Sequence, residues 1–134
     1  MPRRRDARRQ ALDILYQADV LGEHPVEVAE EWDAAGKKVA PFARELVEGV
    51  AAHLQELDAL IGEYAEGWTV PRMASVDRTI LRVACYELRF RDDVPVGAAI
   101  DEAVRAAKEL STEDSGRFVN GILGKIARDP ATEP

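Results

Sequence analysis

The sequence predicts an all-α fold, a compact bundle of six to seven helices, and three observations predict it. Apolar residues recur at steps of three and four along almost the whole chain, which is the period of a helix with one buried face. No segment alternates apolar and polar residues as a half-buried strand would. The breaks between periodic segments are short and carry Gly, Pro or Asp, so consecutive helices should pack as neighbours. There is no repeat of fixed period, and 134 residues suit one core better than two. One domain over residues 1–129 is expected, with a basic arm at residues 1–9 and a frayed tail at residues 130–134.

Each element has its own grounds. Ala7, Ala11, Ile14, Leu15 and Ala18 set the first helix, which continues out of the basic arm and stops near Gly22. After Pro25 a short helix over residues 26–33 follows, closed by Gly36. Leu46, Val50, Leu54, Leu57, Ile61, Tyr64 and Trp68 then form one stripe along a long pattern that starts near Val39. Such a stripe needs a partner helix. Pro71 and residues 73–75 make a connection, with Ser75 placed to cap the next helix. That helix carries Val76, Ile80, Leu81, Ala84, Cys85 and Leu88 on its apolar face, up to about Phe90. Asp92-Asp93-Val94-Pro95 breaks it, because proline disfavours helical backbone in the residue before it and itself suits a first turn. Ile100, Ala103, Val104, Ala107 and Leu110 line the following helix, and Val119, Ile122, Leu123 and Ile126 line a last one over residues 114–128.

Charge is polarised along the chain. The net value is −7, yet residues 3–9 hold five arginines, so residues 1–9 carry +4 and the remainder −11. An acidic body with a basic arm still binds a polyanion where the arm meets it, since phosphate attraction is local under physiological screening. Cys85 is the only cysteine, which excludes an internal disulfide and suggests a reducing compartment. No apolar run reaches the length of a membrane span. The expectation is a cytoplasmic protein with no membrane contact.

Catalytic patterns are not found. His24 and His53 are the two histidines, and neither stands at a metal-pairing distance in sequence from Cys85 or a carboxylate. Cys85 falls on the apolar face of its helix and reads as a small buried hydrophobe. Gly121-Ile122-Leu123-Gly124-Lys125 lacks the spacing and following Ser or Thr of a phosphate loop. No enzyme, metal or cofactor is expected.

The residues left over suit RNA. Tyr16 lies on the first helix just beyond the arginines, and Phe118 opens the last helix with Arg117 and Asn120 beside it. Cationic groups, an accessible ring and an amide supply phosphate attraction, stacking and base readout, the three contacts of single-stranded RNA recognition. Asn120-Gly121 is a turn dipeptide inside a clear helical period, and glycine there costs roughly 1 kcal/mol against alanine. Close approach of another helix is the favoured reason on packing grounds, and close approach of a ligand backbone is the other.

Several segments carry a family resemblance. They are Val76-Asp77-Arg78-Thr79-Ile80-Leu81-Arg82, Tyr86-Glu87-Leu88, Val94-Pro95, Ala99-Ile100-Asp101-Glu102-Ala103-Val104, Ala107-Lys108, Glu113-Asp114-Ser115, and Phe118-Val119-Asn120-Gly121-Ile122-Leu123. In order and spacing they resemble the NusB family of bacterial transcription antitermination factors over roughly residues 4–127. The resemblance implies two small helical subdomains of three or four helices. It also implies a partner, the small-subunit ribosomal protein NusE, with which the family binds the boxA element of ribosomal RNA leader transcripts in a complex with RNA polymerase. It places RNA contacts on Arg4, Arg5, Arg8 and Arg9, with Arg3 as an extension, and on Tyr16, Asp114, Arg117, Phe118, Asn120 and Gly121. Asp77 and Arg82 fall on the family's partner surface. Two departures stand out: Asp6 interrupts the basic segment, and residues 22–38 match only in length and helical character. Two other readings stay open. One is a protein-only helical adaptor or homodimer; the other is the RNA-binding domain of an RNA cytosine methyltransferase, for whose catalytic part the chain has no space.

Overall fold

The structure is a computed structural model that describes residues 3–129, so the tail at residues 130–134 and the first two residues of the arm lie outside the described residues. Among the described residues the chain forms seven α-helices and no strand. They are α1 (Arg4–Leu21), α2 (Pro25–Ala34), α3 (Pro41–Ala52), α4 (Leu54–Tyr64), α5 (Ser75–Phe90), α6 (Val96–Leu110) and α7 (Glu113–Ala127), with a short 3-10 turn at Val70–Arg72. The all-α expectation holds. Helices α1 to α3 pack on one another, α4 to α7 form the other group, and α1 and α3 both rest on α5.

Helix α5 is the centre of the molecule. Ile80, Leu81, Val83, Ala84 and Cys85 are buried on it, and it packs against α1, α3, α4, α6 and α7. Burial pushes the Cys85 thiol well above its ordinary range, so this side chain acts as a core hydrophobe. Beneath α5, α6 presents Ala99, Ala103 and Ala107 as its buried residues. Ile100, Val104 and Leu110, expected in the core, are only half-buried. The small side chains let α6 lie close to its neighbours.

The helix boundaries depart from expectation in three places. Helix α1 begins at Arg4 rather than Ala7, which makes most of the basic arm part of the helix. The stripe through Leu46 and Ile61 is not one helix, because the chain breaks at His53 between α3 and α4. At the break His53 stacks on Phe90, with ring centroids 4.0 Å apart, while Leu54 and Trp68 come out exposed. Ser75 does not cap α5; the cap is Ala74, and the Ser75 hydroxyl donates instead to Asp19 on α1. Tertiary partners outbid the local pattern in each case.

Two helix ends follow the rules of backbone satisfaction. Gly22 adopts φ 67°, and the N–H of Glu23 reaches back to the carbonyl of Ala18 at 2.9 Å, closing α1 with a left-handed cap. At α7 the Thr112 hydroxyl accepts from the Ser115 N–H at 3.0 Å. Close packing is decided at Gly49, where an added methyl would overlap the ring of Tyr86 on α5. Gly49→Ala should therefore cost ~1–3 kcal/mol through overpacking, read as a lower urea midpoint with the slope unchanged.

Candidate nucleic-acid interface

The cationic end of α1 is held down by carboxylates. Arg4 pairs with Asp93 at 2.5 Å and lies over the ring of Phe42, 4.4 Å from its centroid. Arg5 pairs with Glu102 on α6 at 2.8 Å, and Arg9 pairs with Asp13 one turn along at 3.2 Å. Arg3 is exposed at the cap of α1 and has no ion-pair partner among the described residues. The pairs of Arg4, Arg5 and Arg9 are exposed on the arginine side and worth little each, so a phosphate can displace their carboxylates. The arginines stay near each other without being locked.

Arg8 is different. Its guanidinium makes a forked contact with Glu87 of α5, at 2.9 and 2.7 Å, and the two side chains are only 12% and 2% exposed. A nearly dry, bidentate pair is directional and hard to exchange. Where the sequence suggested a phosphate ligand, the structure has a bolt between α1 and α5.

Arg82 is likewise turned inward. It forks onto Asp58 of α4 at 2.8 and 2.9 Å and reaches Asp19 of α1 at 3.2 Å. Asp19 also takes Arg78 at 2.5 Å. Burial raises the Asp19 carboxyl, but hydrogen bonds from Arg78 and Ser75 outweigh it and hold the group below its ordinary range. Arg82, expected on the partner surface, is here part of a structural clamp joining α1, α4 and α5. Asp77 faces the start of α7, where one carboxylate oxygen accepts from the Ser115 hydroxyl at 3.2 Å and the other is buried with no hydrogen-bond partner. Burial pushes the Asp77 carboxyl above its ordinary range.

The basic end of α1 borders the surface of α5 and α6. An open groove of about 190 Å³ runs from Arg5 and Arg9 along Leu12 and Ile80 to Leu110, the last residue of α6. Tyr16, 42% exposed, continues this line beside Val76 and Leu110. Two residues past Leu110 lies Thr112, the cap of α7. Sequence reasoning missed the exposed face of α6 that flanks this groove, which carries Arg105 and Lys108 next to Arg5, interleaved with Asp101, Glu102 and Glu109. The only signal for them was a polar spacing opposite the alanine stripe.

Helix α7 presents an exposed ridge. Asp114 and Arg117 pair with each other one turn apart in full solvent. Asn120 and Gly121 are exposed, and a methyl added at Gly121 would meet nothing within 4 Å. Helix packing therefore does not explain that glycine. The close approach falls on Gly116, where a methyl would come within 2.8 Å of the Lys108 side chain on α6. Phe118 is half-buried and meets Trp68 edge-on, with centroids 6.0 Å apart. Asn120 does not sit beside it, because two residues on a helix diverge by roughly 160° around the axis.

No three His, Cys, Asp or Glu side chains among the described residues converge to hold a metal, and no helix is long and apolar enough to cross a membrane. The surface offers cations, amide and bare backbone, which is a binding repertoire. Comparison with known proteins decides the family: the model described as the NusB family matches residues 5–128. The chain belongs to the NusB family. It is 50% identical to the transcription antitermination protein NusB of Salinispora arenicola over 95% of this chain and 96% of the relative. Among solved structures it resembles T. maritima NusB, with a TM-score of 0.86, 39% identity, and 96% and 92% of the two chains covered. It also resembles a chain in a crystal structure of the antitermination factors NusB and NusE in complex with dsRNA, with a TM-score of 0.83, 30% identity, and 93% and 96% covered.

Two variants test the inward-turned charges. Arg8→Ala strands the Glu87 carboxylate and should cost ~3–5 kcal/mol of stability, seen in chemical denaturation without any RNA present. For Asp77 the folded state holds its proton more tightly than the unfolded chain, so this group's contribution to stability falls as pH rises from its ordinary 3.8 through the raised value. Asp77→Asn should flatten that dependence and match or exceed the parent's urea midpoint at pH 7.

Proposed function

We propose that this chain is a transcription antitermination factor that binds boxA RNA of ribosomal RNA leader transcripts together with NusE, within a complex with RNA polymerase. The observation that carries the reading is the end-to-end match to a chain in a structure of NusB and NusE with dsRNA, and two surface features support it, the displaceable cations of α1 and the bare ridge of α7. The work is assembly in the cytoplasm, with no bond made or broken, by one RNA-binding domain over residues 1–129.

Roles divide by geometry. Arg3, Arg4, Arg5 and Arg9 supply salt-sensitive phosphate attraction, since their carboxylate partners are exchangeable or absent among the described residues. Arg105 and Lys108 extend that attraction across α6. Asn120 offers an amide to a base edge, Arg117 a second cation that Asp114 holds in check, and Gly121 an uncovered helix surface against which an RNA backbone fits. Tyr16, exposed beside Val76 and Leu110, offers RNA a stacking face, and Asp77, beside Ser115 at the start of α7, suits the protein partner. Arg8 and Arg82 act through the fold.

The test is a titration of boxA and scrambled RNA against the protein, with and without NusE. Preference for boxA that strengthens with NusE is expected; equal, NusE-independent binding of both RNAs would count against the reading and favour a protein-only adaptor. Gly121→Ala sharpens it. The added methyl meets open space and removes a helix breaker, so stability should rise by about 1 kcal/mol while boxA affinity drops.

A further inference from the structure

The stacking ring that sequence reasoning placed on Phe118 is, in the structure, largely spent on packing. Phe118 lies half-buried against the core, and its edge is taken by Trp68. Trp68 itself is 53% exposed, the most open aromatic ring among the described residues for which exposure stands out. A single exposed ring is common on protein surfaces; this one is set apart by the second ring at its edge and by the backbone that holds it.

The backbone around Trp68 is built to hold it there. The Trp68 N–H donates to the Ala65 carbonyl at 3.0 Å, closing a turn in which Gly67 takes φ 77°, the conformation that favours glycine at that position. The turn is anchored at both ends by buried residues, Ala65 and Val70. It is also tied to the last helix by Lys125 pairing with Glu66 at 3.3 Å, and just before the turn the Tyr64 hydroxyl at the end of α4 donates to Asp129, beyond the end of α7. The indole is thereby presented in advance beside the α7 ridge, at little further cost in side-chain order on binding. Phe118, Gly121 and Lys125 follow one another at steps of three and four residues and so share that side of α7.

We infer that Trp68 is a stacking site for an unpaired base of the RNA, with Phe118 as its supporting ring and Lys125 as the adjoining phosphate contact. The inference rests on the RNA-binding reading above and extends it to a residue on a different element from α1 and α7. A base has two faces and needs only a flat, partly desolvated ring, which Trp68 supplies without sequence preference. Lys125 gives up an exposed carboxylate, Glu66, whose hold is weak in water.

The experiment uses the full chain with NusE and a boxA RNA oligonucleotide. Trp68→Ala should weaken RNA binding by roughly 5- to 150-fold, the range for losing one stacked base, and Trp68→Phe should recover most of it. Binding to NusE without RNA should not change. A second readout covers a Trp68→Ala chain that fails to fold: in a Trp32→Phe chain Trp68 is the remaining indole, and its emission should be quenched as boxA RNA is added. Parent-like RNA affinity of a folded Trp68→Ala chain, or unchanged Trp68 emission on saturation with RNA, overturns the inference alone. Loss of NusE binding with RNA affinity kept would reassign Trp68 to a protein contact and overturn it too. If the parent chain shows no boxA binding, the antitermination reading falls and takes this one with it.

Discussion

The structure depends on the ion pair between Arg8 and Glu87. It crosses from the first helix to the central one inside an apolar wall, with both side chains nearly out of water. Two charges in that position are stable only as a pair, because either one alone would be left desolvated without compensation. The pair therefore sets where the basic end of α1 lies. With Arg8 bolted, Arg4, Arg5 and Arg9 fan out over Asp93, Glu102 and Asp13, close to the groove that leads toward α7. A loose cationic tail becomes a rigid edge.

The same device recurs on the other side of α5. Arg78 and Arg82 gather Asp19 and Asp58 into one cluster, joining the first and fourth helices to the central helix. Buried polar connections of this kind specify orientation more than they add stability, since apolar substitutes would pack with less desolvation cost. Here they serve placement. The cluster and the Arg8 bolt hold α1 at two heights along α5, and the RNA surface we propose requires that register because its parts come from α1, α6 and α7.

An acidic protein that binds a polyanion must keep its few cations local. Arg4, Arg5 and Arg9 already have carboxylate neighbours, so on the proposed reading RNA binding there is an exchange of partners rather than a new attraction. Exchange is nearly neutral in energy for exposed pairs, which leaves the discriminating work to groups with geometry: an amide, a ring, and a helix surface without side chains.

Much was legible in the sequence by itself. The helical period and the Gly and Pro breaks determined an all-α fold and nearly every helix, because both act through neighbours three or four residues away. The spacing of the segments from Val76 to Leu123 determined the family. What only the tertiary structure decided concerns residues whose meaning comes from distant partners. Arg8 and Arg82 look like surface cations in sequence and turn inward because Glu87 and Asp58 stand across from them. Ser75 gives up a cap for Asp19. Gly121 was read as a packing glycine, and the glycine of α7 at a close approach is Gly116, since a helical period tells which residues share a face but not which face meets a neighbour. Trp68 counted as the end of an apolar stripe and emerges in solvent because the helix breaks at His53 and ends at Tyr64. Charge and apolar character are written in the chain; which of them is buried is settled only when the helices find each other.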